Sequence, residues 1–143
     1  MTNQKSVQEV KAAMAAWGEA LTAKDIERMH KDYAENYRIF DVGMTVNSVE
    51  GVKELWKKCL DFFDEPKAEY KNLVIEASDT MAVAHFNSRI TGMNVPMPDE
   101  MKNAHVRGTV CFKKVGDTWQ CFHEHISFPV NCETNTVVFE SDV

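Results

Sequence analysis

At 143 residues the chain is long enough to bury one core without disulfide or metal staples. A hydrophobic fraction of 44% excludes a disordered chain, and a net charge of −6 with acids spread throughout argues against nucleic acid, which demands a basic face. No run approaches the roughly 20 apolar residues of a membrane span, Met1 to Lys5 hold no apolar signal core, and the four cysteines lack CxxC spacing, so free thiols and a cytoplasmic location are expected.

Ser6-Val7-Gln8-Glu9 reads as a capping box. Val7, Val10, Met14, Trp17 and Leu21 then recur at helical spacing and predict a first helix with one apolar stripe. Asp25 is placed to cap a second, shorter helix carrying Ile26, Met29 and Tyr33. Tyr37 to Val42 predicts a short strand closed by Asp41 and Gly43. Val52, Leu55, Trp56, Cys59, Leu60 and Phe63 predict a third helix, stopped by Asp64-Glu65-Pro66.

Beyond Pro66 the period changes from helical to alternating. Tyr70–Ala77, Met81–Gly92, His105–Val115 and Trp119–Val130 predict four strands, with turns at Ser78-Asp79-Thr80 and Gly116-Asp117. Helices first and a strand meander afterwards define an α+β domain, three helices on a curved antiparallel sheet. One domain is expected over 1–130, followed by an acidic tail, 131–143, that is partly disordered.

A two-residue turn at Gly116-Asp117 pairs Val115 with Thr118. Counting outward places Phe112 opposite Cys121 on one face, and Cys111 opposite Phe122, Thr109 opposite Glu124 and Arg107 opposite Ile126 on the other. Arg107 and Glu124 then become diagonal neighbours. A one-residue slip would exchange the two sets, and alternation alone does not choose the buried face.

Trp17 in the first helix, Lys24-Asp25-Ile26-Glu27, Tyr33-Ala34-Glu35-Asn36 and Asp41 at a strand end resemble the N-terminal half of ketosteroid isomerase. The segment from Trp119 to Ser127 resembles the last strand of SnoaL-like proteins and of the calcium/calmodulin-dependent protein kinase II association domain. The likeness covers most of residues 6–130 and implies the cone-shaped α+β fold of the nuclear transport factor 2-like superfamily, commonly dimeric. It implies Asp41 as general base and puts Phe122, Glu124 and Ile126, with Arg107 and Thr109 paired to them, on the pocket side. His123 and His125 then point to the convex face, the expected surface of a homodimer. The isomerase's oxyanion donors fall at Trp17 and Thr109, which departs from a steroid isomerase.

Two functions remain open at this point. One is a cofactor-free isomerase, cyclase or dehydratase acting on a small, partly apolar molecule. In it Asp41 takes a proton, Trp17, Tyr33 and Trp56 line the cavity, and Arg107, Thr109, Phe122, Glu124 and Ile126 contact substrate. The other is a non-catalytic binding or oligomerisation module. Asp41 also suits a turn cap, and Arg107 with Glu124 also suits a structural ion pair. The His123–His125 spacing suits a metal site only if His85 or His105 joins it, so no metal is expected. No cofactor is expected either, since no phosphate loop or dinucleotide fingerprint is present.

Overall fold

A computed structural model describes residues 2–143. The long helix α1 (Gln4–Thr22) is capped by Asn3, whose side chain accepts the Ser6 backbone N–H at 3.1 Å. The cap therefore lies one turn earlier than the Ser6 box, because the Asn3 backbone N–H is itself tied to the Ala77 carbonyl at 2.7 Å. Ser6 is buried, and Glu9 reaches Lys114 and Trp119 instead of its own helix end. The short helix α2 (Ile26–His30) is capped by Asp25, as the sequence indicates. It ends before Tyr33, which opens strand β1 (Tyr33–Phe40). After β2 (Thr45–Val46), Ser48 caps α3 (Val49–Cys59). A 3-10 turn, Leu60–Phe62, then tightens the helix end, so Asp64-Glu65-Pro66 lies in a strand and does not form the helix stop.

The remaining strands are β3 (Phe63–Ala77), β4 (Met81–Met93), β5 (Val106–Val115) and β6 (Thr118–Ser127), with a short helix α4 (Asp99–Lys102) between β4 and β5. The sheet runs β2-β1-β6-β5-β4-β3 and is mixed, because β1 pairs in parallel with β6. That corrects the all-antiparallel expectation. Short turns force β3–β4 and β5–β6 to be antiparallel, and β5 returns beside β4 after the longer 94–105 connection, whereas β1 reaches β6 only after the whole meander has been laid down. Pro66 is tolerated because β3 is an edge strand. Register shifts at Phe63/Lys67 and Lys71/Val74, with Asn72 at φ 57°, bend β3 and curve the sheet around the helices.

Val10, Met14, Tyr37, Val52, Ala84, Phe86, Val110, Phe112 and Trp119 form the main core between sheet and helices. A second cluster, with Leu21, Met29 and Leu60, lies beside it, and Trp56 packs against both. Each fully buried aliphatic side chain of this kind contributes about 1.5–3 kcal/mol. The tail, expected to be partly disordered, folds back. Its strands β7 (Val130–Asn131) and β8 (Thr136–Val137) pair, Phe139 packs edge-on against Phe128 at 5.4 Å, and the His105 N–H donates to the Glu140 carbonyl at 2.7 Å. An apolar anchor outweighs the acidic composition there. No helix among the described residues is long and apolar enough to cross a membrane.

Candidate active site

The site is set by one irregularity in β6. Near the turn the pairing follows simple counting: Val115 opposite Thr118, Lys114 opposite Trp119, Phe112 opposite Cys121. Trp119 and Cys121 are buried on the concave face with Phe112. Phe122 then has no partner, and Cys111 pairs with His123. This extra residue is a β-bulge, and it exchanges inside for outside along the rest of the strand. Glu124 comes opposite Val110 and Ile126 opposite Gly108, both on the concave face. The absence of a side chain at Gly108 matters, because a Cβ there would lie 2.5 Å from the Phe86 ring.

Glu124 consequently enters an aromatic chamber. The fully buried Tyr37 donates its hydroxyl to Glu124 Oε2. The Tyr33 ring lies 4.7 Å from that of Tyr37 and 4.8 Å from His30, and Tyr70 packs edge-on to Phe86 at 4.9 Å. Trp17 meets Trp56 edge-on at 5.9 Å. Desolvation raises the Glu124 carboxyl above the ordinary glutamate value, and the like charge of Asp41 adds to the rise; Tyr37 and Tyr33 oppose it by hydrogen bonding the charged form. Burial and the Glu124 charge push the Tyr33 and Tyr37 hydroxyls far up, and burial raises Tyr70 to about 12, so all three are protonated donors at neutral pH.

Asp41 follows the end of β1. Its N–H donates to the Met44 carbonyl at 2.8 Å and its Oδ1 accepts the Val42 N–H at 2.8 Å, which closes the turn into β2. The turn-cap reading therefore describes its local bonding. Half-buried, it also acts electrostatically on Tyr37, Cys59 and Glu124.

Six of the residues singled out from the sequence sit in or beside the chamber: Trp17, Tyr33, Asp41, Trp56, Glu124 and Ile126. Three do not. Phe122 lies at the bulge, 5.9 Å from the Lys113 Nζ on the outer face. Arg107 pairs with Ser127, and its Nε donates to Ser127 Oγ at 3.2 Å; Thr109 pairs with His125. The Arg107–Glu124 pair does not form, because the bulge turns the two to opposite faces. His123, His125 and His85 lie outside, the first two flanking the Phe40 ring. Arg89 reaches Glu69 and the Asn103 carbonyl.

Sequence reasoning missed Tyr37, Tyr70 and His30. The Tyr33–Tyr37 spacing was the available signal, but it was divided between a helix and a strand. His30 is buried, with Nδ1 held by the Ile26 carbonyl at 2.8 Å. Among the described residues its Nε2 has no partner, and nor does the buried Trp17 Nε1. Burial lowers the His30 pKa, which keeps the ring neutral. One open hollow lies on the outer face, away from the chamber, and another, between α1 and β3, is lined by Met14, Gly18, Thr22 and Tyr70. Among the described residues no group of three or more His, Cys, Asp or Glu side chains is placed to hold a metal.

Helices packed against the concave face of a curved mixed sheet are an architecture shared with proteins of known structure. The sequence profile of the SnoaL-like domain matches residues 10–131, so the chain belongs to the SnoaL-like family. It is similar to an NTF2-like protein of unknown function from Pseudomonas putida KT2440, at 24% identity over 100% of both chains with a TM-score of 0.85. A proposed dehydratase of the NTF2-like family from Streptomyces avermitilis matches at 16% identity over 90% of this chain and 99% of its own, TM-score 0.75. A proposed scytalone dehydratase from Novosphingobium aromaticivorans DSM 12444 matches at 13% identity over 96% and 93%, TM-score 0.75. At these identities the likeness speaks to the fold alone. No curated protein matches the chain.

Proposed function

We propose that the chamber binds a small, partly apolar organic molecule and moves protons on it without a cofactor, in dehydratase-type or related isomerase and cyclase chemistry. The observation that carries this reading is Glu124, a carboxyl with a raised pKa among aromatic rings, bonded by Tyr37 and coupled to a second carboxylate at Asp41. Two carboxyl groups in unlike surroundings are suited to opposite roles, one as base and one as acid.

In a dehydration Asp41 takes the proton from a carbon next to a carbonyl. Glu124 gives its proton to the departing hydroxyl, which leaves as water as the carbon–oxygen bond breaks. The protonated Asp41 and ionised Glu124 then exchange a proton through solvent and reset the site. Trp17, Tyr33, Trp56 and Ile126 supply apolar contacts, and the unpartnered indole N–H of Trp17 is a free donor for a carbonyl oxygen.

NMR in deuterium oxide over a panel of β-hydroxy ketones tests this by following α-hydrogen exchange and loss of the hydroxyl. The expected result is turnover of at least one compound, with Asp41→Asn and Glu124→Gln each slowing it about 10²–10⁴-fold without loss of thermal stability. Unchanged rates in both variants, or no turnover of any compound, would replace the enzyme reading with that of a binding domain.

A further inference from the structure

The outer face of β4, β5 and β6 carries a charge opposite in sign to the molecule. The chain has a net charge of −6, yet Glu124 is the one carboxylate in these three strands, and it points inward. Outward lie two rows of side chains fixed by the pairing register. His85, Thr109 and His125 form one, and Asn87, Arg107 and Ser127 form the next. Neighbouring strands are about 4.8 Å apart and alternate residues along a strand about 6.8 Å. The six therefore span a grid of about 10 by 7 Å, with donors throughout.

These residues floor an open hollow of ≈ 540 Å³, bordered by Asn72 and Val74 of β3. Arg107 is tethered: Nε donates to Ser127 Oγ at 3.2 Å and one terminal nitrogen donates to the Phe128 carbonyl at 3.4 Å, leaving the other terminal nitrogen without a partner among the described residues. Among the described residues the His85, Thr109 and His125 side chains have no hydrogen-bond partner, and His125 is oriented by the Phe40 ring at 5.5 Å. The nearby outward carboxylate, Glu69, is bonded to Arg89 at 2.7 Å and so does not oppose an anion. Glu76, farther along β3, pairs opposite Val83 and does not line the hollow, and nor do Asp64 and Glu65 at the strand's start.

We propose that this hollow binds a small oxyanion, a phosphate or a carboxylate group. The free edge of Arg107 forks onto it, and His85, His125 and the Thr109 hydroxyl complete the shell. A guanidinium offers planar paired donors that match either group, and it is weakly hydrated enough to be stripped of water there. The same guanidinium, lying between the two imidazole columns, repels a cation and so excludes a metal for this pair of histidines.

The test is a ¹⁵N/¹³C NMR titration of the intact chain with inorganic phosphate and, separately, with acetate, at constant ionic strength. The expected result is saturable shifts of the Arg107 side chain and the His85 and His125 rings, with affinity falling at least tenfold in Arg107→Gln and several-fold in Thr109→Val. Saturation by phosphate alone assigns a phosphate, and by acetate alone a carboxylate. Shifts that never saturate, or saturable binding that Arg107→Gln leaves within twofold, overturn the site. So does a second copy of the chain seated on the hollow, seen as concentration-dependent shifts of Arg107 and His85 that phosphate does not reverse.

Discussion

The concave and convex faces of one sheet set similar chemical groups to different work. On strand β6, Glu124 points inward and its neighbours His123 and His125 point outward. Inside, the rings around Glu124 remove water, so its proton affinity rises and its hydroxyl partner Tyr37 stays protonated. Outside, imidazole and guanidinium groups keep their hydration and meet partners through Arg107, Ser127 and Phe40. Solvation, more than residue type, sets the two faces of this strand apart.

The sharpest way to break the contrast is to insert an alanine between His123 and Glu124, beyond the bulge. With one residue added there, Glu124 would have to face outward and an imidazole inward, or the half-strand would have to pair out of register. We expect a loss of more than about 4 kcal/mol, in the severe tail of single changes, read as a lowered urea midpoint or failure to fold. Parental stability with the Tyr37–Glu124 contact intact would show that the bulge absorbs the added residue.

Tyr37→Phe comes next. It removes the hydroxyl that Glu124 accepts and should cost about 1–3 kcal/mol by chemical denaturation. Because that bond favours the ionised carboxylate, its loss should also raise the Glu124 titration further, measurable by ¹³C NMR. Gly108→Ala forces a methyl against the Phe86 ring in a packed core and should cost a similar 1–3 kcal/mol.

Glu124→Gln should act in the opposite direction. With its folded pKa above the ordinary 4.5, the parent holds this proton more tightly folded than unfolded. That stabilisation is complete below the unfolded value and is lost as pH rises through the folded one. Glutamine keeps an oxygen for Tyr37 and cannot ionise. The variant should therefore be more stable than the parent at pH 8, with the gap closing near pH 4; equal stability across that range would contradict a raised carboxyl. The smallest effect is expected outside. Arg89→Ala breaks a partly exposed pair with Glu69 and should cost about 0.2–1 kcal/mol, less at high salt.

Much of this molecule was written locally. The apolar stripe of α1, the Asp25 cap, the β4–β5–β6 meander and the Gly116-Asp117 turn follow from residue spacing, since each involves neighbours in sequence. Inward Glu124 and Ile126 were reachable through the family resemblance, although their supposed partners Arg107 and Thr109 were not. Alternation could not find the bulge, because Trp119, Cys121 and Phe122 put bulky or apolar groups on both faces of β6.

The sequence by itself determined an α+β chain, because hydrophobic period and turn chemistry act over a few residues; its SnoaL-like kind came from the resemblance of particular motifs. Tertiary structure alone decided the parallel seat of β1, which brings Tyr37 to Glu124, the docking of the tail on His105 and Phe128, and the face on which Arg107 stands. Those features depend on where distant strands meet and on one unpaired residue. A single shift of register moves every later side chain from oil to water, and no local pattern records it.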